Sequence, residues 1–377
     1  MPVTIDGTSG ITTPMYNGTI TANAVTPSVN MKNRIINGAM VIDQRNAGAS
    51  VNNIAGSIYT LDRWDTYGDQ SAKFSVQQNA GSVTPPTGFT NYLGVTSLSA
   101  YTVGASEIFR ISQQIEGFNA ADLAWGTANA QTVTLSFWVR SSLTGTFGGS
   151  LVNSSATYNY PFSYTISAAN TWERKSITIT GATSGTWNTT NGIGVRLIFG
   201  LGVGSSLSAA AGAWTTSIIN SSTGATSVVG TNGATFYITG CQLEIGSTAT
   251  SFDYRPYTTE LQLCQRYYVK AASGLSGNGI EINSGWYYSN THISFFVVSP
   301  VPMRTNPTLA ATSGTDYYII YRNGTSDTFD SIVAELSNAT NTMLSCYNAS
   351  QVSGTAGQAG IVRTYNASAS VTLTAEL

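Results

Sequence analysis

The stretch Gln131-Thr132-Val133-Thr134-Leu135-Ser136-Phe137-Trp138-Val139 decides the fold. Val133, Leu135, Phe137 and Val139 fall on one side of an extended chain, and Thr134, Ser136 and Trp138 on the other. That two-residue period marks a strand with one face in a core. It returns at residues 176–180, with Ile177 and Ile179 inward, and at Val195, Leu197 and Phe199, with Arg196 on the reverse face. Ile108-Phe109-Arg110-Ile111 supplies another strand. Between Thr235 and Ile245 the phase changes: Phe236 and Ile238 share a side, and Cys241, Leu243 and Ile245 take it over. A bulge near Gly240 would absorb the extra residue. Gly/Ser/Thr-rich stretches, 202–213 and 221–233, separate the segments with no helical pattern between most of them. Without crossover helices the expected architecture is all-β, an antiparallel β-sandwich in jelly-roll order.

Composition fits such a fold and narrows its use. Of 377 residues, 42% are hydrophobic but only 9% are charged, against about 25% in an ordinary soluble protein. Ser, Thr, Asn and 38 glycines fill the gap, so the surface is hydrated by hydroxyls and amides. Sixteen basic residues against 18 acidic ones leave a net charge of −2 without a basic tract, which disfavours a nucleic-acid partner. No run of 18 apolar residues is present for membrane insertion. The opening Met1-Pro2-Val3-Thr4-Ile5-Asp6 carries no secretory pattern, and the three cysteines, Cys241, Cys264 and Cys346, form no CxxC pair. Both point to synthesis in a reducing cytoplasm.

Working outward from the sandwich, residues 1–32 have turn formers and too few apolar positions for a core. They are expected to be an extended segment, disordered or held against a partner. Residues 33–257 hold the sandwich. Thr259-Glu260-Leu261-Gln262 reads as a helix start, with Thr259 as N-cap, Gln262 at N3, and Leu261, Cys264 and Tyr268 on one face. This helix opens a smaller C-terminal β-sandwich domain, residues 258–377. There Ile293-Ser294-Phe295-Phe296-Val297-Val298 suits a central strand, and the alternating residues 371–377 should be tied into a sheet.

Catalytic chemistry finds little support. His292 is the single histidine, so no Ser-His-Asp triad or multi-histidine metal site can be centred elsewhere. Cys241 and Cys264 read as small buried hydrophobes. Gly200, Gly202 and Gly204 lack the helix that a dinucleotide loop requires. Asp62, Asp65 and Asp69 could offer oxygens to calcium, but without EF-hand spacing, and surface salt bridges or turn caps account for them more simply. Glu107, Glu116, Asp122 and Glu173 could serve as paired glycosidase acids, though nothing in the sequence pairs them. No catalytic residue, metal site or cofactor is therefore assigned, and the chain reads as non-enzymatic.

The aromatic residues say more. Twenty tyrosines against 13 phenylalanines, with seven tryptophans, suit amphipathic faces turned toward polar partners. Sugars match such faces, since their axial C–H groups stack on rings while their hydroxyls seek amides. Trp64, Tyr67, Trp138, Trp172, Trp187 and Trp214 lie outside the inward patterns. Trp187 and Trp214 lead, because their Gly/Ser/Thr/Asn-rich loops offer no local apolar pattern to join. With Trp138 and Tyr67 they form the expected ligand-binding set. Core or intersubunit packing is the competing role.

Two blocks carry a family resemblance. Lys32-Asn33-Arg34-Ile35-Ile36-Asn37-Gly38-Ala39-Met40, continuing to Asn46 and followed by Tyr59-Thr60-Leu61-Asp62-Arg63-Trp64, resembles the opening of a large group of bacteriophage tail fibre and receptor-binding proteins. Phe236-Tyr237-Ile238-Thr239-Gly240-Cys241-Gln242-Leu243-Glu244, running on to Pro256, resembles the block that closes the same unit, and residues 260–268 resemble the helix that follows it. The head around Ile5-Asp6-Gly7 is similar to fibre N-termini that attach to a virion. The resemblance implies a homotrimeric virion protein with a carbohydrate-binding-like jelly roll. It would join other virion proteins through its N-terminal segment and adsorb to host surface polysaccharide. A purely structural protein of baseplate or capsid is the alternative, with a capsule depolymerase behind it. The resemblance gives Arg255 and the Asp62-Arg63-Trp64 turn structural roles, since an Arg fork can bind a carboxylate bidentately and lock two segments. It names no ligand residue.

Overall fold

The computed structural model describes residues 31–274 and 279–377, and the backbone of Thr4–Asp6 and Gly10–Thr12. Those two short strands pair antiparallel with Ile5 opposite Ile11, inside a unit spanning Met1–Lys32. The rest of the expected attachment segment lies outside the described residues. A second unit spans Asn33–Leu377.

Two six-stranded antiparallel sheets make the larger part of that second unit. The first sheet runs in the order Asn159–Ile166, Gly145–Val152, Ile193–Val203, Ile108–Glu116, Trp64–Gly68, Gly56–Leu61. The second runs Glu173–Ile179, Val133–Ser141, Thr235–Ile245, Leu93–Ser97, Phe74–Gln78, Val51–Asn52. The chain passes repeatedly between the two, as a sandwich requires. Val133, Leu135, Phe137 and Val139 are buried as their alternation predicts. The Phe137 ring meets Phe199 and Tyr164 of the first sheet edge-on, each at 5.0 Å between centroids. Each such ring removed from water contributes about 1.5–3 kcal/mol.

Several expectations change in detail. Thr134 and Ser136 are buried although they face away from this core, because the chain beyond residue 245 folds back over the outer face. Thr134 Oγ1 donates to Gly246 O at 2.7 Å, and Thr178 Oγ1 to Ser247 O at 2.9 Å. The register shift between Thr239 and Gln242 is the expected bulge, with Gly240 at φ +60°. Ile245, expected inward, is 41% exposed; it ends its strand, and the alternation outlasts the core. Trp64, counted among outward rings, is fully buried. Arg63, at φ +70°, turns the tight connection between Leu61 and Trp64, and the indole Nε1 donates to Asn37 O at 3.1 Å.

The helix is Tyr257–Gln265, with Pro256 and not Thr259 at the N-cap position, and no side chain caps it. Proline has no N–H to leave unpaired, so the helix can begin directly after it. Glu260 of the first turn accepts instead from Asn37 N and Arg255 Nη1. Tyr268 does not extend the helical face. It opens the strand Tyr268–Ser273, where aromatic and β-branched preference prevails.

That strand joins Ser370–Thr374 and Thr308–Ala311 in a three-stranded sheet with Ser370–Thr374 at its centre, Tyr268 opposite Thr374. The patterned chain near residue 371 is thus tied in, as expected. A seven-stranded sheet follows in the order Thr325–Phe329, Tyr318–Arg322, Ala359–Thr364, Glu281–Ser289, His292–Val298, Met343–Asn348, Val333–Glu335. Its two edge strands are joined by residues 330–332 alone. Laid flat, seven strands would hold their edges about 29 Å apart, while four Cα steps reach only about 14 Å. The sheet must therefore coil until its edges approach, and it encloses Tyr287, Ile293, Phe295, Val297 and Leu344.

Ion pairs on buried carboxylates join the two β regions. Glu116 accepts from Arg266 Nε at 2.8 Å and Nη2 at 2.6 Å, and from the Tyr267 hydroxyl at 2.5 Å. Glu376 accepts from Arg45 at 2.6 Å and from Arg63, whose guanidinium lies 3.6 Å over the Tyr267 ring. The carboxylate-locking expected of Arg63 and Arg255 is present in Arg63–Glu376 and Arg255–Glu260.

Candidate functional site

Alternation in the coiled sheet sends Ile293, Phe295 and Val297 into its core and turns Ser294, Phe296 and Val298 outward. On the neighbouring strand Tyr287 is buried, so Trp286 and Tyr288 on either side of it must face out. Cross-strand register then aligns Trp286 with Ser294, Ser294 with Tyr347, and Tyr347 with Val333. Rings gather along this face. Trp286 lies 5.6 Å from Phe296, Tyr288 lies 5.3 Å from His292, and His292 stacks on Tyr347 at 5.1 Å with 19° between planes. Together with Ala334, Glu335, Asn338 and Met343 they line a groove of about 890 Å³. Its rings are accessible: Trp286 is 37% exposed and Tyr288 is 72% exposed. Polar groups sit between them, with Ser345 Oγ donating to Glu335 Oε2 at 3.1 Å and Ser294 and Asn338 alongside. Such a surface can stack the apolar face of a flat polar molecule and hydrogen-bond its rim.

The residues singled out from sequence lie elsewhere. Trp187 and Trp214 are brought together, 5.5 Å apart, with Trp125 at 4.8 and 5.4 Å. Tyr158 stacks on Trp214 at 5.3 Å and 10°. This cluster packs against the sandwich core, and each indole N–H is already engaged: Trp187 with Ser184 O at 3.0 Å, Trp214 with Thr180 O at 2.8 Å, Trp125 with Gln131 O at 2.8 Å. Half-buried faces of Trp187 and Trp214 remain. Trp138 is half-buried on the outside of the second sheet, between Arg174 and Thr239. Tyr67 lies on the outside of the first sheet, its hydroxyl donating to Asp69 Oδ1 at 3.0 Å. Sequence reading passed over Trp286, Tyr288, Phe296 and Tyr347. The signal was available in Trp286-Tyr287-Tyr288, three consecutive rings that a strand cannot bury on one side.

The groups that could carry chemistry are engaged in structure. All three cysteines are buried and unpaired by disulfides. Burial holds the thiols of Cys241 and Cys264 well above their ordinary value and pushes Cys346 up to about 12. Asp62 accepts from Gln44 N and Nε2, Asp65 from Ser57 and Ser112 hydroxyls, and Asp69 from Ile108 N and Tyr67. Among the described residues no group of three or more His, Cys, Asp or Glu is placed to hold a metal. Of the acids considered for glycoside hydrolysis, Glu116 pairs with Arg266, Asp122 with Arg34 and Glu173 with Lys175, while Glu107 accepts from Tyr101 and Gly104. Each acts as a fastener.

No protein-family profile matches the chain, and no curated protein sequence does. Solved structures similar to it include tailspike protein 4 of bacteriophage CBA120, in its enzymatically active domain, at 11% identity over 57% of this chain and 22% of that one, TM-score 0.31. A family 11 carbohydrate-binding module from Clostridium thermocellum, solved with a β-1,3-1,4-mixed-linked tetrasaccharide, is 12% identical over 53% of this chain and 98% of the module, TM-score 0.28. A candidate sugar-binding protein from Bacteroides thetaiotaomicron VPI-5482 is 11% identical over 57% of this chain and 100% of that one, TM-score 0.33. The match thus spans about a fifth of the tailspike's length. Likenesses at this level carry no residue across.

Proposed function

We propose that the protein is a non-catalytic phage fibre protein that binds host surface glycan through the outward rings of its coiled sheet. The observation that carries this reading is the groove of Trp286, Tyr288, His292, Phe296 and Tyr347 with hydroxyl and amide groups between them. The resemblance of residues 32–64 and 236–256 to fibre proteins supports a virion location, with the N-terminal segment joined to other virion proteins and three copies per fibre. Each site would be weak, and three sites engaging together can raise apparent affinity by about 10² to 10⁴.

Glycan arrays and extracted host polysaccharide test it. Trp286→Ala and Tyr288→Ala should each reduce binding about tenfold or more, equivalent to about 1.4 kcal/mol, with the unfolding midpoint unchanged. Trp187→Ala and Trp214→Ala form the second arm. Loss of binding there without loss of stability would move the site to the sandwich. Wild-type protein that binds no host glycan would leave the purely structural virion role.

A further inference from the structure

The outer face of the first sheet holds a second arrangement. Tyr67, Arg110 and Gly200 lie opposite one another on adjacent strands. Two residues on come Asp65, Ser112 and Ile198, then Gln114 opposite Arg196. Arg110 and Arg196 thus rise from neighbouring strands on either side of the Ser112–Ile198 row, near enough for the Arg196 charge to act on Arg110. Arg110 is only 9% exposed, yet its guanidinium makes no hydrogen bond or ion pair among the described residues. Its Nε and Nη1 are buried without a partner, as is Nε of Arg196. The nearby Asp65 carboxylate acts on Arg110 through its charge but is not in ion-pair contact with it, its oxygens accepting from Ser57 Oγ at 2.9 Å and Ser112 Oγ at 2.6 Å. Over Gly200 stands Ser221, whose buried hydroxyl is also unpartnered. The Tyr67 ring lies 5.4 Å from the Arg110 guanidinium.

Other well-buried arginines of this chain contrast with Arg110: Arg45, Arg63 and Arg255 also leave Nε without a hydrogen bond, but each holds a carboxylate through a terminal nitrogen. A guanidinium taken from water with unpaired donors is disfavoured until acceptors complete it. Burial and Arg196 pull Arg110 down to about 10, against the opposing effect of Asp65. The planar fork of arginine matches a planar carboxylate.

We propose that Arg110 and Arg196 form a carboxylate-binding site, and that its occupant is the carboxylate of an acidic sugar. The face favours a small hydroxylated ligand: Ser112 and Gln114 share it with the two arginines, Ser221 stands over Gly200, and the flat Tyr67 ring lies beside the Arg110 guanidinium. The saccharide half of the proposal rests on the glycan-binding reading; the anion half does not.

The test compares a tetramer of galacturonate with its carboxyl-reduced neutral form by calorimetry. The wild-type protein should bind the acidic tetramer about tenfold or more tighter. Arg110→Gln and Arg196→Gln should each bring the two within about threefold, while Trp286→Ala should leave the acidic tetramer the tighter of the two. If Arg110→Gln fails to fold, Arg196→Gln, at a half-exposed position, carries the test. Equal affinity for both tetramers in the wild type, or a preference that survives Arg196→Gln, overturns the proposal. A change in assembly mass with Arg196→Gln, without any acidic preference in the wild type, gives the site to a carboxylate of a second copy and also overturns it. Loss of neutral-glycan binding in Trp286→Ala speaks to the groove alone.

Discussion

Asp62 receives hydrogen bonds from Gln44 N at 2.6 Å and Gln44 Nε2 at 2.9 Å, and burial nevertheless lifts it to about 6. Between about pH 4 and 6 the folded chain keeps a proton that the unfolded chain has released, so its stability falls as pH rises through that window. The full effect is about 3 kcal/mol at most. Asp62→Asn should flatten this slope, measured as urea midpoints at pH 4, 5, 6 and 7; an unchanged slope would assign the titration to another group. Single residues were also the least legible part of the sequence. Trp64 and Tyr67 occupy one strand at opposite parities, and only the tertiary fold decides which ring is sealed. Trp187 and Trp214 lack local apolar neighbours because their partners Trp125 and Tyr158 are distant in sequence.

At the scale of elements, alternation carried the reading well. The strands around Val133, Val195 and Ile293 run as their side chains predict, and the change of phase at Gly240 located a bulge. Where two signals competed, the proline moved the N-cap from Thr259 to Pro256, and β preference took Tyr268 from the helix. The joints between elements were only partly legible. Arg63 and Arg255 showed themselves as fasteners, but Glu376 as the partner of Arg45 and Arg63 depends on chain separations that no local pattern encodes. Glu376→Gln leaves two charges without their counterion, one of them fully buried, and should cost about 3–5 kcal/mol. Denaturant unfolding measures it, and a loss below about 1 kcal/mol would mean water reaches Arg63 and the joint behaves as a surface pair.

For the whole molecule, scarcity of charge and paired sheets were visible from composition and periodicity, whereas the coiling of the seven-stranded sheet was not. That coiling depends on which strands become edges, and the Val333–Glu335 edge completes a groove whose rings come from residues 286–347. Assembly belongs to this scale. Closed rotational symmetry is the rule for soluble homo-oligomers, and a three-fold fibre should scatter light as about three times the 39.6 kDa chain mass. A mass of one chain at micromolar concentration would remove the three-fold proposal.

Tyr268 and Thr374 stand side by side in one ladder, so the polypeptide leaves for the ring-bearing lobe and comes back at nearly the same point, about 4.8 Å away. The lobe is therefore spliced in like a cartridge. A graft replacing residues 274–369 with the equivalent loop-out of another fibre should leave the sandwich's melting temperature intact while exchanging the sugars recognised, a swap that calorimetry and a binding array can score together.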